Sequence, residues 1–114
     1  MIAQGDVFWA DLREPVGSAP GYPRPVVVIQ NNVFNQSSIS TVIACAITSN
    51  LERAWSPGNV QLAKGEANLT KRSVVNVSQV ITIDRGMLKK RIGTLSKKRI
   101  EEIWEGLVLV LGPE

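Results

Sequence analysis

Apolar positions recur first with the period of a strand, and only near the end with the period of a helix. In "GDVFWADL" the alternation sets Val7 and Trp9 against Asp6 and Phe8 and predicts a first strand. After a Gly/Pro/Ser loop at residues 14–23, "RPVVVIQNN" predicts a second strand, whose unbroken Val26, Val27, Val28 and Ile29 imply burial on both faces. "VFNQSS" reads as a turn and "ISTVIACAIT" as a third apolar strand ending at Thr48. The polar stretch "SNLERAWSPGN" leads to a short strand near Val60 to Leu62. "SVVNVSQVITID" then alternates, with Val75, Val77, Gln79 and Ile81 on one face and Val74, Asn76, Ser78 and Val80 on the other.

Beyond Asp84 the period changes. "DRGMLKKR" suits a single helical turn kept short by Gly86 and Gly93. Ser96 then caps an amphipathic helix, "KKRIEEIWEGLVLVLG", in which Ile100, Ile103, Trp104, Leu107 and Leu111 recur at three- and four-residue spacing up to Gly112 and Pro113. About five strands followed by one helix predict a mainly β protein, a small antiparallel barrel or curled sheet with the helix packed on it. Residues 1–114 are expected to form one domain, without repeat or linker.

Composition narrows the chemistry. With no histidine, and one cysteine inside the apolar "VIACAI", the ligand sets of zinc sites and the histidine-based hydrolytic mechanisms are missing. Cys45 reads as a buried, inert thiol, and no cofactor or metal is expected. The glycines of "GSAPGYPRP" are not at phosphate-loop or dinucleotide spacing. No apolar run reaches the roughly 18 residues of a membrane span. "MIAQGD" lacks a basic, apolar leader, so a cytoplasmic protein without membrane association is expected.

Charge adds a partner class. Net charge is +3, and seven of the thirteen Lys and Arg fall between Arg85 and Arg99, a stretch without an acidic residue. That density suits a polyanion such as nucleic acid, although a solvated helix face accounts for it as well. Lys97, Lys98 and Arg99 oppose the macrodipole at the helix start. By their patterns Trp9 and Trp104 are expected in the core. Trp55, in a polar loop, suits stacking on a base, insertion into a partner, or cover for the barrel mouth.

Arg24 begins the second strand and Thr48 ends the third, so an antiparallel pairing brings them to one mouth. On spacing alone an arginine there is ordinarily solvated, and a strand-end threonine ordinarily caps a turn.

Five separated blocks carry a further signal: "GDV", the Gly-Ser loop running into "RPVVVIQNN", the strand closing in "TSN", "SVVNVSQVITID", and "LS" before the last helix. In this order and spacing they resemble the MazF/PemK family of toxin endoribonucleases over essentially the whole chain. The resemblance implies an SH3-like barrel that forms a homodimer, cleaves single-stranded RNA, chiefly messenger RNA, without a metal, and is neutralised by a cognate antitoxin laid across its RNA groove. It assigns catalysis to Arg24 and Thr48, and RNA contact to Ser18, Tyr22, Asn32, Ser49 and Gln79. Ala19 and Pro20 stand where many relatives carry an acidic residue and Gln, and Ile81 where many carry a basic residue. Cleavage-site preference is therefore expected to differ. A gyrase-binding toxin of the CcdB type and a non-catalytic RNA-binding barrel are the alternatives on a similar scaffold.

Overall fold

The computed structural model describes residues 1–12 and 22–114. Its elements are β1 (Asp6–Leu12), β2 (Tyr22–Val28), a one-turn α1 (Asn32–Asn35), β3 (Thr41–Thr48), β4 (Val60–Leu62), β5 (Ser73–Asp84), β6 (Leu88–Thr94) and α2 (Lys97–Leu111). The strands form one antiparallel curled sheet in the order β4-β5-β3-β2-β1-β6.

Six strands stand where about five are expected, and the extra one is β6. The stretch read as a helical turn makes only a 3-10 turn at Arg85–Met87 before it extends along β1. Its alternation is hidden because the register shifts between Phe8 and Ala10, which face Arg91 and Leu88, so that Lys89 and Lys90 together stand opposite Trp9. Such a bulge breaks the period-two signal on which a strand is recognised. β2 also begins two residues earlier than Arg24 and ends at Val28, and the "VFNQSS" turn contains α1.

The central strands are buried on both sides. Val7, Val27, Cys45, Ile47, Val75 and Val77 pack with Ile103 and Leu107 of α2, whereas Phe8, Ala10, Val26, Val28, Val42, Ala44 and Ile83 form a second cluster on the opposite face. In β5 the expected single face for Val75, Val77, Gln79 and Ile81 is interrupted. Cys45 pairs with Val80 but Ala46 with Asn76, so the intervening bulge turns Ile81 toward the second cluster.

Two tryptophans depart from the expected core. Trp9 is 44% exposed and Trp104 is 64% exposed. α2 buries only Ile103, Gly106 and Leu107, because just one side of it meets the sheet; Trp104, Val108 and Leu111 continue down its outer face. Gly106 allows the close approach, since a Cβ there would strike the carbonyl of Gly58.

The start of α2 answers the charge problem raised by its sequence. The Ser96 hydroxyl accepts the Arg99 N–H at 3.2 Å. The Arg99 guanidinium donates to both carboxylate oxygens of Glu66, at 2.8 and 3.0 Å, and to Glu102 at 2.8 Å. Glu66 also accepts the Ala63 N–H, so the pair fastens the loop after β4 to the helix. That loop runs against β6, where Asn68 donates to the Ile92 carbonyl at 2.9 Å. Ala67 and Asn68 hold positive φ, 48° and 61°, and Gly93 beneath them has no Cβ to meet the Ala67 carbonyl.

The Arg99 guanidinium holds the Glu66 carboxyl below the usual glutamate range. A depressed folded-state pKa contributes stability that is complete above the ordinary value of about 4.3 and is lost as pH falls through the folded value. Glu66→Gln is therefore expected to lower Tm at pH 7 and to flatten the loss of Tm between about pH 5 and 3. Thermal melts of both proteins across that range check it; parallel curves would show that the ion pair contributes nothing to the acid limb.

Candidate nucleic-acid interface

Tertiary pairing brings Arg24 and Thr48 together. Val26 faces Ala46, Val27 faces Cys45 and Val28 faces Ala44. Continued two residues further, this register sets Arg24 against Thr48, while Arg24 faces Ala10 of β1 on its other side. Both residues line a cavity of about 500 Å³. Its other walls include Trp9 and Pro25, the loop residues Asn68, Thr70 and Lys71, and Lys90 and Arg91 of β6. Among the described residues its lining has cations, hydroxyls and amides but no carboxylate.

The Thr48 hydroxyl accepts the Asn50 N–H at 3.1 Å. This is the turn-capping role ordinary for a strand-end threonine. It also has a chemical effect: with a lone pair engaged, the hydroxyl keeps its proton available for a group in the cavity. Asn50 in turn caps the 3-10 turn Leu51–Trp55 by accepting the Glu52 N–H, so the segment after β3 is held by consecutive side-chain bonds. Trp55 projects from that turn, 89% exposed; it is not among the residues lining the cavity of Arg24 and Thr48.

The remaining expected RNA contacts divide. Ser49 is exposed and lines the same cavity. Asn32 lies beyond the far end of β2, on a different cavity beside α2. Its side-chain oxygen accepts the Gln4 N–H at 2.7 Å and the Asn35 amide at 3.0 Å, so it braces α1. Gln79 falls in the bulged part of β5, half-buried and apart from that cavity's lining. Ser18 and the side chain of Tyr22, like Ala19 and Pro20, lie outside the described residues.

The basic cluster divides as well. Arg85 is consumed structurally, donating to the carbonyls of Ile39 at 2.7 Å and Asn35 at 2.9 Å. Arg99 is held by Glu66 and Glu102, and Lys89 donates to the Gly86 carbonyl. Lys90 and Arg91 remain turned to the cavity, joined there by Lys71 from outside the cluster. Sequence reasoning missed Lys71, and it assigned Trp9 to the core.

No group of His, Cys, Asp and Glu able to hold a metal occurs among the described residues, and no helix there is long and apolar enough to cross a membrane.

Several solved structures share this fold. An endoribonuclease from mycobacterial species, solved with its cognate antitoxin, superposes with a TM-score of 0.81 at 20% identity, covering 100% of this chain and 98% of that one. MazF from Deinococcus radiodurans gives 0.80 at 22% identity, over 98% and 97%. By sequence, the chain is 41% identical over 111 residues to Endoribonuclease MazF6 of Mycobacterium tuberculosis, covering 97% of each. It is 39% identical over 112 residues to Endoribonuclease MazF of Staphylococcus saprophyticus, covering 98% of this chain and 92% of the relative. The fold is thus the one these solved structures share, a curled β-sheet carrying a C-terminal helix. Residues 3–111 match the model of the PemK-like, MazF-like toxins of type II toxin-antitoxin systems, and the chain belongs to that family.

The one thiol stands apart from this chemistry. Cys45 is fully buried, and desolvation pushes its pKa up to about 12. Native protein at pH 8 is expected to resist alkylation by iodoacetamide, and to react within minutes once unfolded in guanidinium. Mass spectrometry of both samples checks this, and rapid labelling of the native chain would contradict the burial.

Proposed function

We propose that this chain is the toxin of a type II toxin-antitoxin pair and a metal-independent endoribonuclease that cleaves single-stranded RNA to 2′,3′-cyclic phosphate and 5′-hydroxyl ends. The observation that carries the reading is the placement of Arg24 and Thr48 on one cationic cavity, in a chain whose relatives at 39–41% identity are named endoribonucleases. These relatives favour RNA cleavage over gyrase binding or RNA binding without chemistry.

In this mechanism the 2′-oxygen attacks the adjacent phosphorus, the bond to the 5′-oxygen breaks, the 2′-proton passes to solvent and the departing oxygen gains a proton. The cavity's described lining offers no carboxylate base, so its contribution is to charge and position. Arg24 presents paired, planar donors to the phosphorane and to the leaving oxygen. A guanidinium has five N–H donors and no acceptor, which confines it to those roles. Thr48, its hydroxyl oxygen already accepting the Asn50 N–H, donates to the phosphate or orients the attacking hydroxyl. Ser49 is an RNA contact beside them. The chain works in the cytoplasm as a homodimer, a state supported by the apolar outer face of α2, and a cognate antitoxin silences it.

Arg24→Ala is expected to fold normally and to lose at least about a hundredfold in single-turnover cleavage, the usual cost of removing one preorganised donor. Arg24→Lys should recover little, since a lysine keeps the charge without the fork. Thr48→Ser should retain more activity than Thr48→Val. Circular dichroism establishes folding first, and rates on one single-stranded RNA decide. Wild-type cleavage by folded Arg24→Ala would place the catalytic group elsewhere.

The same RNA, incubated with the wild-type protein in excess EDTA, should be cut at the rate seen with added magnesium. An absolute need for divalent metal would overturn the metal-free reaction.

A further inference from the structure

Trp9 sits on a strand paired on both sides, between β2 and β6, yet the residue is 44% exposed. A large apolar side chain at such a position is ordinarily well covered. What surrounds it is specific. On one side it faces Pro25, the neighbour of Arg24. On the other, the register shift places Lys89 and Lys90 opposite it. Lys90, Lys71 and Arg91 share its cavity. Arg91 is tied to Asp6 only at 3.7 Å, with a side chain 57% exposed. The side-chain ammonium groups of Lys71 and Lys90 form no hydrogen bond or ion pair with the described residues; the Lys71 backbone carbonyl accepts one from the Ser73 hydroxyl.

An open indole ringed by cations suits one nucleotide of a single strand, since every base offers a face to stack on and every linkage a phosphate to neutralise. We propose that Trp9, Lys71 and Lys90 form a nucleotide subsite beside Arg24 and Thr48: the indole stacks on a base flanking the cut, and the lysines hold its phosphate. Stacking is tolerant of base identity, so the subsite sets which linkage reaches Arg24 and Thr48 rather than which base is read. This inference rests on the RNA-cleaving reading above.

The experiment uses a single-stranded RNA with one mapped cut site, made uncleavable by a 2′-deoxy sugar at the cut, with each flanking base in turn replaced by an abasic sugar. Wild-type affinity should fall about tenfold at one flanking position, within the range for loss of one base stacked on an aromatic ring. Trp9→Leu, which keeps apolar bulk but cannot stack, should bind the intact RNA about as weakly as wild type binds the abasic one, and should be indifferent to the replacement. Trp9→Phe should stay sensitive to it. Lys71→Gln and Lys90→Gln should each reduce the salt slope of binding by about 0.7, the value for one phosphate contact on a single strand.

Equal sensitivity in wild type and Trp9→Leu overturns the proposal, as does a wild type indifferent to every abasic position. Unchanged RNA binding by Trp9→Leu with lost affinity for the antitoxin also overturns it, assigning the ring to a protein contact. Should Trp9→Leu fail to fold, the abasic scan on wild type and the two lysine variants decide. A wild-type protein that cuts no RNA at all defeats the parent reading, and this is seen before any variant is made.

Discussion

The pairing of β2 with β3 is the constraint on which the rest of the structure depends. Val26, Val27 and Val28 are each no more than 1% exposed and alternate between two separate apolar clusters. Each such side chain contributes about 1.5–3 kcal/mol when fully buried. A slip of one residue would send every valine to the wrong cluster, so the register is fixed from both faces at once. The small Ala44 and Ala46 of β3 make room for the valines they face. The far end is closed by buried amides: Gln30 donates to the Asn35 oxygen at 2.9 Å, Asn35 donates to the Gln30 carbonyl at 2.8 Å, and the Ile43 N–H donates to the Gln30 amide oxygen. With that end locked, the opposite end carries Arg24 to the side of Thr48.

Much of this was legible in the residues, and what was not has particular causes. Strands β1 to β5 and helix α2 follow from periodicity and capping, because their buried faces are regular over several residues. β6 escaped because its bulge sets two lysines against one tryptophan, and its exposed basic residues hide the strand period. Trp104 and Trp9 were placed in the core by a pattern that states which side of an element a residue occupies, not whether anything covers that side. The union of Arg24 and Thr48 was readable because it needs only one antiparallel pairing. The arrival of Lys71 on the same cavity was not, since it depends on how the loop after β4 is tied down. The dense basic stretch misleads in the other direction: Arg85 and Arg99 are joints of the scaffold.

That loop shows how a surface segment becomes a wall. Its two left-handed residues, a non-glycine conformation that is costly unless the surroundings enforce it, are held by Asn68 on β6, by Glu66 on α2 and by the missing Cβ of Gly93. Leu69, 6% exposed, pins the following residue into the main core. The ties of Glu66, Asn68 and Gly93 come from outside β2 and β3, whereas Leu69 joins the core that Val27, Cys45 and Ile47 share. The cavity is therefore assembled from two parts, a sheet that carries Arg24 and Thr48 and a strapped loop that faces them.

The burial of Cys45 has a consequence at the scale of the whole molecule. Histidine is the one side chain whose unperturbed titration falls between pH 5 and 8, and this chain has none. A thiol with a lowered pKa is the usual substitute, and here the only thiol is driven upward to about 12. The side chains thus offer no histidine or activated thiol as a proton switch, and the formal charge of +3 that meets a polyanion is carried by Lys, Arg, Asp and Glu, none of which titrates at its unperturbed value between pH 5 and 8. Ionic strength, through the screening and counterions around the bound strand, is left as the solution variable that tunes this attraction.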